Sequence, residues 1–250
     1  MKVQWDYTEL ANAYLKRPSY SEEAIDDMLS LANISSGDDA CDIGAGAAHL
    51  TLMLLKRGLK VNAVEPNDAM RSNGILRTEK YENIQWFEGT GENTFQNDNS
   101  FNIVTFGSSF NVTNQQEALK ESKRILKEDG WFACMWNHRV LTDPLQNEIE
   151  NIIKFYIKDY GYGSRRDDQT DIINASGLFS DTQSFEGKII HSISSEDFIE
   201  AWKSHGTLYR QAKGKFGEII LEIEKVIRLQ NSVSINVPYI TKGWMAKAIK

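Results

Sequence analysis

ACDIGAGAAHLTLMLLKRGLKVNAVE, residues 40–65, reads as one strand–turn–helix–strand unit. A short apolar strand ends at Asp42-Ile43 and enters a tight turn built on Gly44 and Gly46. The helix over residues 47 to about 57 stops at Gly58, and a second strand, residues 59–64, ends in Glu65. Each part has a chemical use. Gly44 takes backbone angles closed to other residues. Gly46, one residue beyond Ala45, lets a ligand approach the main chain without meeting a side chain. The helix start offers unpaired N–H groups and a partial positive charge. A carboxylate about 20 residues on, at the tip of the next strand, is placed to accept two ribose hydroxyls. The expectation is a nucleoside-binding βαβ unit.

Small departures narrow the nucleoside. A dinucleotide fingerprint puts its third glycine at position 49, where this chain has His49. Ala48 stands where a G-x-G-x-G pattern has its last glycine. Asp42, two residues before the first glycine, repels a pyrophosphate but suits a ligand carrying an ammonium or sulfonium group. A nicotinamide-binding turn is therefore disfavoured. With Asp42 and Glu65 in place, the stretch resembles motif I of the class I S-adenosylmethionine-dependent methyltransferases, D/E-x-G-x-G-x-G. The resemblance implies S-adenosylmethionine as cofactor, with Gly44, Ala45, Gly46, Glu65, Pro66 and Met70 around it.

Alternating strand and helix signals continue downstream, as a parallel sheet with helices on both faces requires. Asn67 and Asp68 cap a helix expected to run to about Gly74, and residues 84–87 read as a third strand. FNIVTF, residues 101–106, is short and apolar, as a strand covered on both faces should be. Asn114 opens a helix whose end is crowded by Lys123, Arg124 and Lys127, and Asp129-Gly130 turns into a fifth strand, residues 131–136. Helix signals over residues 144 to about 160, strand signals over 182–192, a helix capped by Ser194 or Ser195, and an amphipathic stripe from Phe216 to Ile227 follow. Residues 233–249 are strand-like, with Pro238 suited to an edge or bulge. The expected architecture is a doubly wound, Rossmann-like, seven-stranded, mostly parallel α/β sheet. We divide the single domain into an N-terminal lid (1–33), a cofactor-binding core (34–139), a substrate cap with the sixth strand (140–232) and a final strand (233–250).

The resemblance covers roughly residues 5–140 and implies further site residues. Thr90, Gly91 and Glu92 follow the third strand where relatives line the adenine, and Thr90 replaces the commoner aspartate. Ser108, Phe110 and Asn111 follow the fourth strand at the edge where open α/β sheets bind ligands. Many relatives have histidine where this chain has Asn111, and an amide orients a substrate but takes no proton. The segment YLKRPSY, residues 14–20, resembles the opening of small-molecule methyltransferases of the trans-aconitate and ubiquinone-biosynthesis kind. There Tyr14 and Arg17 are expected on the cofactor and Tyr20 on the acceptor, with water kept out. Trp136-Asn137-His138-Arg139 resembles a W-N-x-R run after the fifth strand, and His138 is the histidine considered as a proton acceptor. Arg165, Arg166, Tyr209 and Arg210 in the cap, with Trp136 and Phe110, are expected to contact the acceptor.

Composition bounds the partners. The 250 residues carry a net charge of −7, which opposes sequence-independent nucleic-acid binding and with it an RNA methyltransferase. The chain has no apolar run near the ~20 residues that span a bilayer and no apolar core near its start of the kind a secretory signal needs, so a cytoplasmic protein is expected. Cys41 and Cys134 read as buried reduced thiols in strands, and no metal-ligand spacing occurs. The reading is methyl transfer to an O, N or C nucleophile of a small molecule. Its alternative is a catalytically silent cofactor-binding module.

Overall fold

The computed structural model describes residues 11–249; the first ten positions of the expected lid lie outside the described residues. Helices α1 (Ala11–Tyr14) and α2 (Glu22–Leu31) precede β1 (Asp39–Ile43). Then come α3 (His49–Lys56), β2 (Lys60–Val64), α4 (Asp68–Thr78), β3 (Ile84–Phe87), β4 (Phe101–Gly107), α5 (Gln115–Ile125) and β5 (Leu126–Arg139). The second half runs α6 (Pro144–Tyr156), α7 (Thr170–Ala175), β6 (Phe179–Ser194), α8 (Ser195–Lys203), α9 (Gly206–Ala212), α10 (Phe216–Leu229) and β7 (Ser234–Ala248).

The seven strands form one open sheet in the order β3-β2-β1-β4-β5-β7-β6. The first five are parallel and β7 runs antiparallel between β5 and β6. The chain steps from β1 outward to β2 and later to β4 on the other side. The order therefore reverses at β1, and the crevice beyond the ends of β1 and β4 is where such sheets bind ligands. Period-2 alternation gives each strand two buried faces. On β4, Val104 and Phe106 pack with α5, while Ile103 joins α2 and α3 on the opposite face. A third apolar cluster lies in the cap, where Ile219, Ile223 and Ile227 of α10 meet Ile149 and Ile153 of α6 and Phe198 and Trp202 of α8. The amphipathic stripe is thus packing.

Three local differences from the sequence reading have physical causes. α4 continues past Gly74 to Thr78, because the Trp86 ring occupies the place of a side chain there: a Cβ on Gly74 would meet Trp86 Cη2 at 2.1 Å. β5 begins at Leu126, not Trp131; Leu126 pairs with Phe101 and Trp131 with Ile103, so residues 127–130 bulge out of the ladder. Pro238 lies in an internal strand, but β5 pairs with β7 only as far as Arg139–Tyr239. Pro238 therefore sits just past the end of β5, where its missing N–H breaks no ladder bond. Of the two serines expected to cap α8, it is Ser194 that accepts the Asp197 N–H, at 3.0 Å.

Candidate active site

Two adjoining cavities open at the C-terminal edge of the parallel strands. One is a crevice of about 560 Å³ running from the motif turn to the loops after β3 and β4. The other is a chamber of about 160 Å³ between that edge, residues 14–20 and the cap. Tyr14, Gly44, Gly46, Gly107 and Ser108 border both, so the two spaces meet there.

The crevice gathers Glu65, Pro66, Met70, Thr90, Gly91 and Glu92 with Gly44, Gly46 and Ser108. Gly44 (φ +66°) and Gly46 (φ +55°) both take left-handed backbone, but for different reasons. A Cβ on Gly44 would lie 2.4 Å from Ser109 Cβ, so this glycine makes room for the β4 loop. At Gly46 the nearest atom to a Cβ is Met70 Cε at 3.1 Å, and the remaining space is the crevice. Ala48, at the N-cap of α3, holds the same left-handed geometry (φ 66°) without glycine's freedom. Ser108 (φ 62°) is a second strained position at the meeting of the two cavities, its Oγ 2.9 Å from the Tyr20 hydroxyl.

The carboxylates are set by burial. Glu65 accepts the Gly46 N–H at 2.8 Å and the Asn67 N–H at 2.9 Å, one on each oxygen. Burial raises its pKa, while those two N–H groups hold it down. A lone pair remains on each oxygen, which is what a pair of ribose hydroxyls needs. Asp42 is almost fully buried; burial pushes its carboxyl up to about 7, opposed by hydrogen bonds from Thr51 Oγ1 (2.6 Å) and Thr105 Oγ1 (3.1 Å). Glu92 accepts the Asn114 N–H at 2.6 Å, tying the loop after β3 to the start of α5. A glycine cradle, a backbone-held acid and a crevice within the usual ~300–1,000 Å³ of ligand sites fit an adenosine-bearing cofactor.

The chamber is a cationic box. Arg17, Arg139, Arg165, Arg166 and Arg210 border it, and Asp42 is the one carboxylate among the described residues of its lining. Arg139 pairs with the buried Glu150, which also accepts the Tyr162 hydroxyl. Burial works against that carboxylate, but Tyr162 and Arg139 hold it below its ordinary value. Arg165 and Arg166 contact the Tyr162 ring at 5.3 and 3.6 Å, and neither is paired with a carboxylate among the described residues. Two buried donors, Arg139 Nη1 and Trp202 Nε1, have no protein partner. His205 stacks on Trp202 at 5.2 Å and accepts the Leu208 N–H on Nδ1. Burial and the neighbouring arginines hold it well below its ordinary pKa, so it is neutral. His138 is pulled down to about 4 by burial and then by Arg166, Arg165 and Lys242, and its Nε2 is unpartnered.

Most of the expected residues gather at the two cavities, and two do not. Tyr14 borders both, while Tyr20, Asn111, Trp136, His138, Arg165, Arg166 and Arg210 line the chamber. Arg17, expected on the cofactor, lies on the chamber side, donating to Ser204 Oγ (3.1 Å) and Ser204 O (2.8 Å) and so tying the lid to the cap. Phe110 is not an acceptor contact: it is fully buried in the core, edge-on to Phe106 and Phe132. Tyr209 points away from the chamber, packs on Phe216 at 5.1 Å and is half exposed. The sequence reading missed Arg139, Tyr162, Trp202 and His205 as lining residues. Trp202 in a helix expected to pack inward, with His205 three residues on just past the end of that helix, was the available signal.

Among the described residues, no group of three or more His, Cys, Asp or Glu is placed to hold a metal ion, and no helix is long and apolar enough to cross a membrane. A family model described as a methyltransferase domain matches residues 41–134. The chain is 30% identical over 167 residues to the demethylmenaquinone methyltransferase of Staphylococcus epidermidis, covering 64% of this chain and 69% of that protein. The fold is similar to that of the YcgJ protein from Bacillus subtilis, with a TM-score of 0.58 at 17% identity over 91% of this chain and 98% of that one. It is also similar to Haemonchus contortus phosphoethanolamine N-methyltransferase 2 in complex with S-adenosyl-L-methionine, with a TM-score of 0.57 at 13% identity over 96% of this chain and 57% of that one.

Proposed function

The chain belongs to the class I S-adenosylmethionine-dependent methyltransferases, and we propose that its acceptor is a small organic anion, methylated on oxygen inside the arginine-lined chamber. One observation carries this reading: Arg165 and Arg166 face the chamber without a carboxylate partner, beside the unpartnered donors Arg139 Nη1 and Trp202 Nε1. Unpaired cations and buried donors in a concave site cost free energy until an anion meets them. The chamber's 160 Å³ is close to the ~150 Å³ cavity that holds a benzene molecule, which limits the buried part of the acceptor to about that size.

When bound, S-adenosylmethionine supplies an electrophilic methyl group on a positively charged sulfur. Glu65 would hold the ribose hydroxyls, the glycine turn would admit the ligand to the main chain, and Asp42, in the chamber lining beside that turn, would supply negative charge toward the sulfur. Tyr14, Tyr20 and Arg17 close the chamber, which excludes water and strengthens every charge interaction inside it. The arginines orient the acceptor so that its oxygen lines up with the methyl, and alignment supplies most of the rate. A carboxylate arrives already ionised, so His138, a feeble base with its pKa near 4, has no proton to take.

The test is transfer of a labelled methyl group to a panel of small carboxylates, neutral phenols and amines of matched size. Carboxylates should lead in kcat/KM by about 10- to 100-fold, the worth of one or two charge-assisted hydrogen bonds. A preference for amines or for uncharged acceptors overturns the proposal.

A further inference from the structure

Asn111 lines the chamber in a 3-10 turn (Phe110–Val112) after β4, and the next residue of that turn, Val112, borders both cavities. Its Oδ1 accepts the Trp136 indole N–H at 2.8 Å. An indole nitrogen only donates, so the contact fixes which end of the amide is which. Trp136 cannot turn to release it: its ring is buried and packs edge-on to Trp244 at 6.2 Å. The amide oxygen is therefore spoken for, and the NH₂ end is left for the chamber.

We infer that Trp136 is a positioning residue that locks the Asn111 amide with its N–H bonds toward the acceptor, making Asn111 the group that selects a nucleophile arriving as an oxygen anion. This rests on the anionic-acceptor reading above and adds to it the residue that reads the reacting end. The arginines attract an anion anywhere in the chamber. Asn111 shares the chamber lining with Ser108 and Gly107, which border both cavities, and on this reading it meets the acceptor atom nearest the methyl. A donor there bonds an ionised oxygen through one lone pair and leaves another for attack. It has no acceptor to offer an ammonium or a protonated hydroxyl, so those nucleophiles lose a hydrogen bond on entry. No proton moves in this step: the acceptor oxygen forms its bond to the methyl carbon as the carbon–sulfur bond breaks, and the electron pair leaves with sulfur.

The experiment titrates acetate, benzoate and succinate into enzyme loaded with S-adenosylhomocysteine, using the wild type, Asn111→Asp and Trp136→Phe. Asn111→Asp keeps the oxygen that Trp136 needs but replaces the donor by a charged acceptor. The best-binding anion should bind it about 10- to 100-fold more weakly at pH 8. Trp136→Phe frees the amide to flip and should cost a smaller factor. S-adenosylhomocysteine affinity should be unchanged in both variants, which also reports folding; if Asn111→Asp loses it, Trp136→Phe carries the test alone. Equal anion binding by wild type and both variants, or a Trp136→Phe variant that binds anions as the wild type does, overturns the assignment while leaving the anionic acceptor standing. A wild type that binds none of the three anions but takes up benzylamine overturns both.

Discussion

The Glu65 carboxylate reaches back 19 residues to accept the Gly46 N–H at 2.8 Å, so the tip of β2 and the turn after β1 are held as one unit. Its other oxygen takes the Asn67 N–H at 2.9 Å, which ties in the cap of α4. The acid thus shapes the turn as well as presenting lone pairs to the crevice. Glu65→Ala should weaken S-adenosylmethionine binding by roughly 1–3 kcal/mol through lost charge-assisted hydrogen bonds. Calorimetry on the folded variant checks this, and unchanged affinity would remove Glu65 from the site.

Gly46→Val should abolish cofactor binding and leave most of the fold. At φ +55° a β-branched residue is strained, its Cβ would press on Met70 Cε at 3.1 Å, and its methyl groups would fill the crevice. Circular dichroism and cofactor titration together separate loss of binding from loss of fold. Full activity in the variant would place the cofactor elsewhere.

Asp42 should make cofactor affinity depend on pH near neutrality. Burial lifts its carboxyl to about 7, so the ligand-free protein holds a proton there below that pH. A cationic ligand favours the ionised form and displaces the proton. Affinity should therefore fall as pH drops through 7, by up to about tenfold per pH unit, and level off above. The stability sign is opposite to the usual carboxylate: the folded pKa lies above the ordinary value of 3.8, so the native state binds an extra proton between about 4 and 7. Its stability contribution is lost as pH rises through that window. Titrations at pH 6 and pH 8 in buffers of different ionisation enthalpy measure both the affinity change and the proton released. A flat affinity and no proton release contradict this.

His138→Gln should keep the maximal rate within about tenfold, since loss of a true general base costs ~10²–10⁴. With the imidazole pulled down to about 4, the wild-type rate should show no step between pH 5 and 8 attributable to this residue. A rate that falls a thousandfold in the variant would make His138 the base after all.

The sheet was legible because its signals are local. The motif turn, the short apolar strands and the caps at Asn67, Asn114 and Ser194 each declare themselves within a few residues. The cofactor crevice was legible for the same reason, since its residues end consecutive strands. The chamber was not, because it is made by distant pieces of chain. Arg17 finds Ser204 across 187 residues, and Arg139 finds Glu150 and Tyr162 only once the cap has folded back over β5. Phe110 shows the limit most clearly. It is next to Asn111 in sequence, yet the 3-10 turn sends one side chain into the core and the other to the chamber. Nothing in SSFNV tells which is which.

Whether the cap arginines hold an anion is tested most directly by removing one positive charge without removing its bulk. Arg165→Met in the presence of saturating S-adenosylmethionine should raise KM for the best small carboxylate by about 10- to 100-fold, the worth of a charge-assisted hydrogen bond or two. Cofactor affinity should be unchanged, and the loss should be smaller for a neutral acceptor of the same shape. An unchanged KM for the carboxylate, or an equal loss for charged and neutral acceptors, would contradict it.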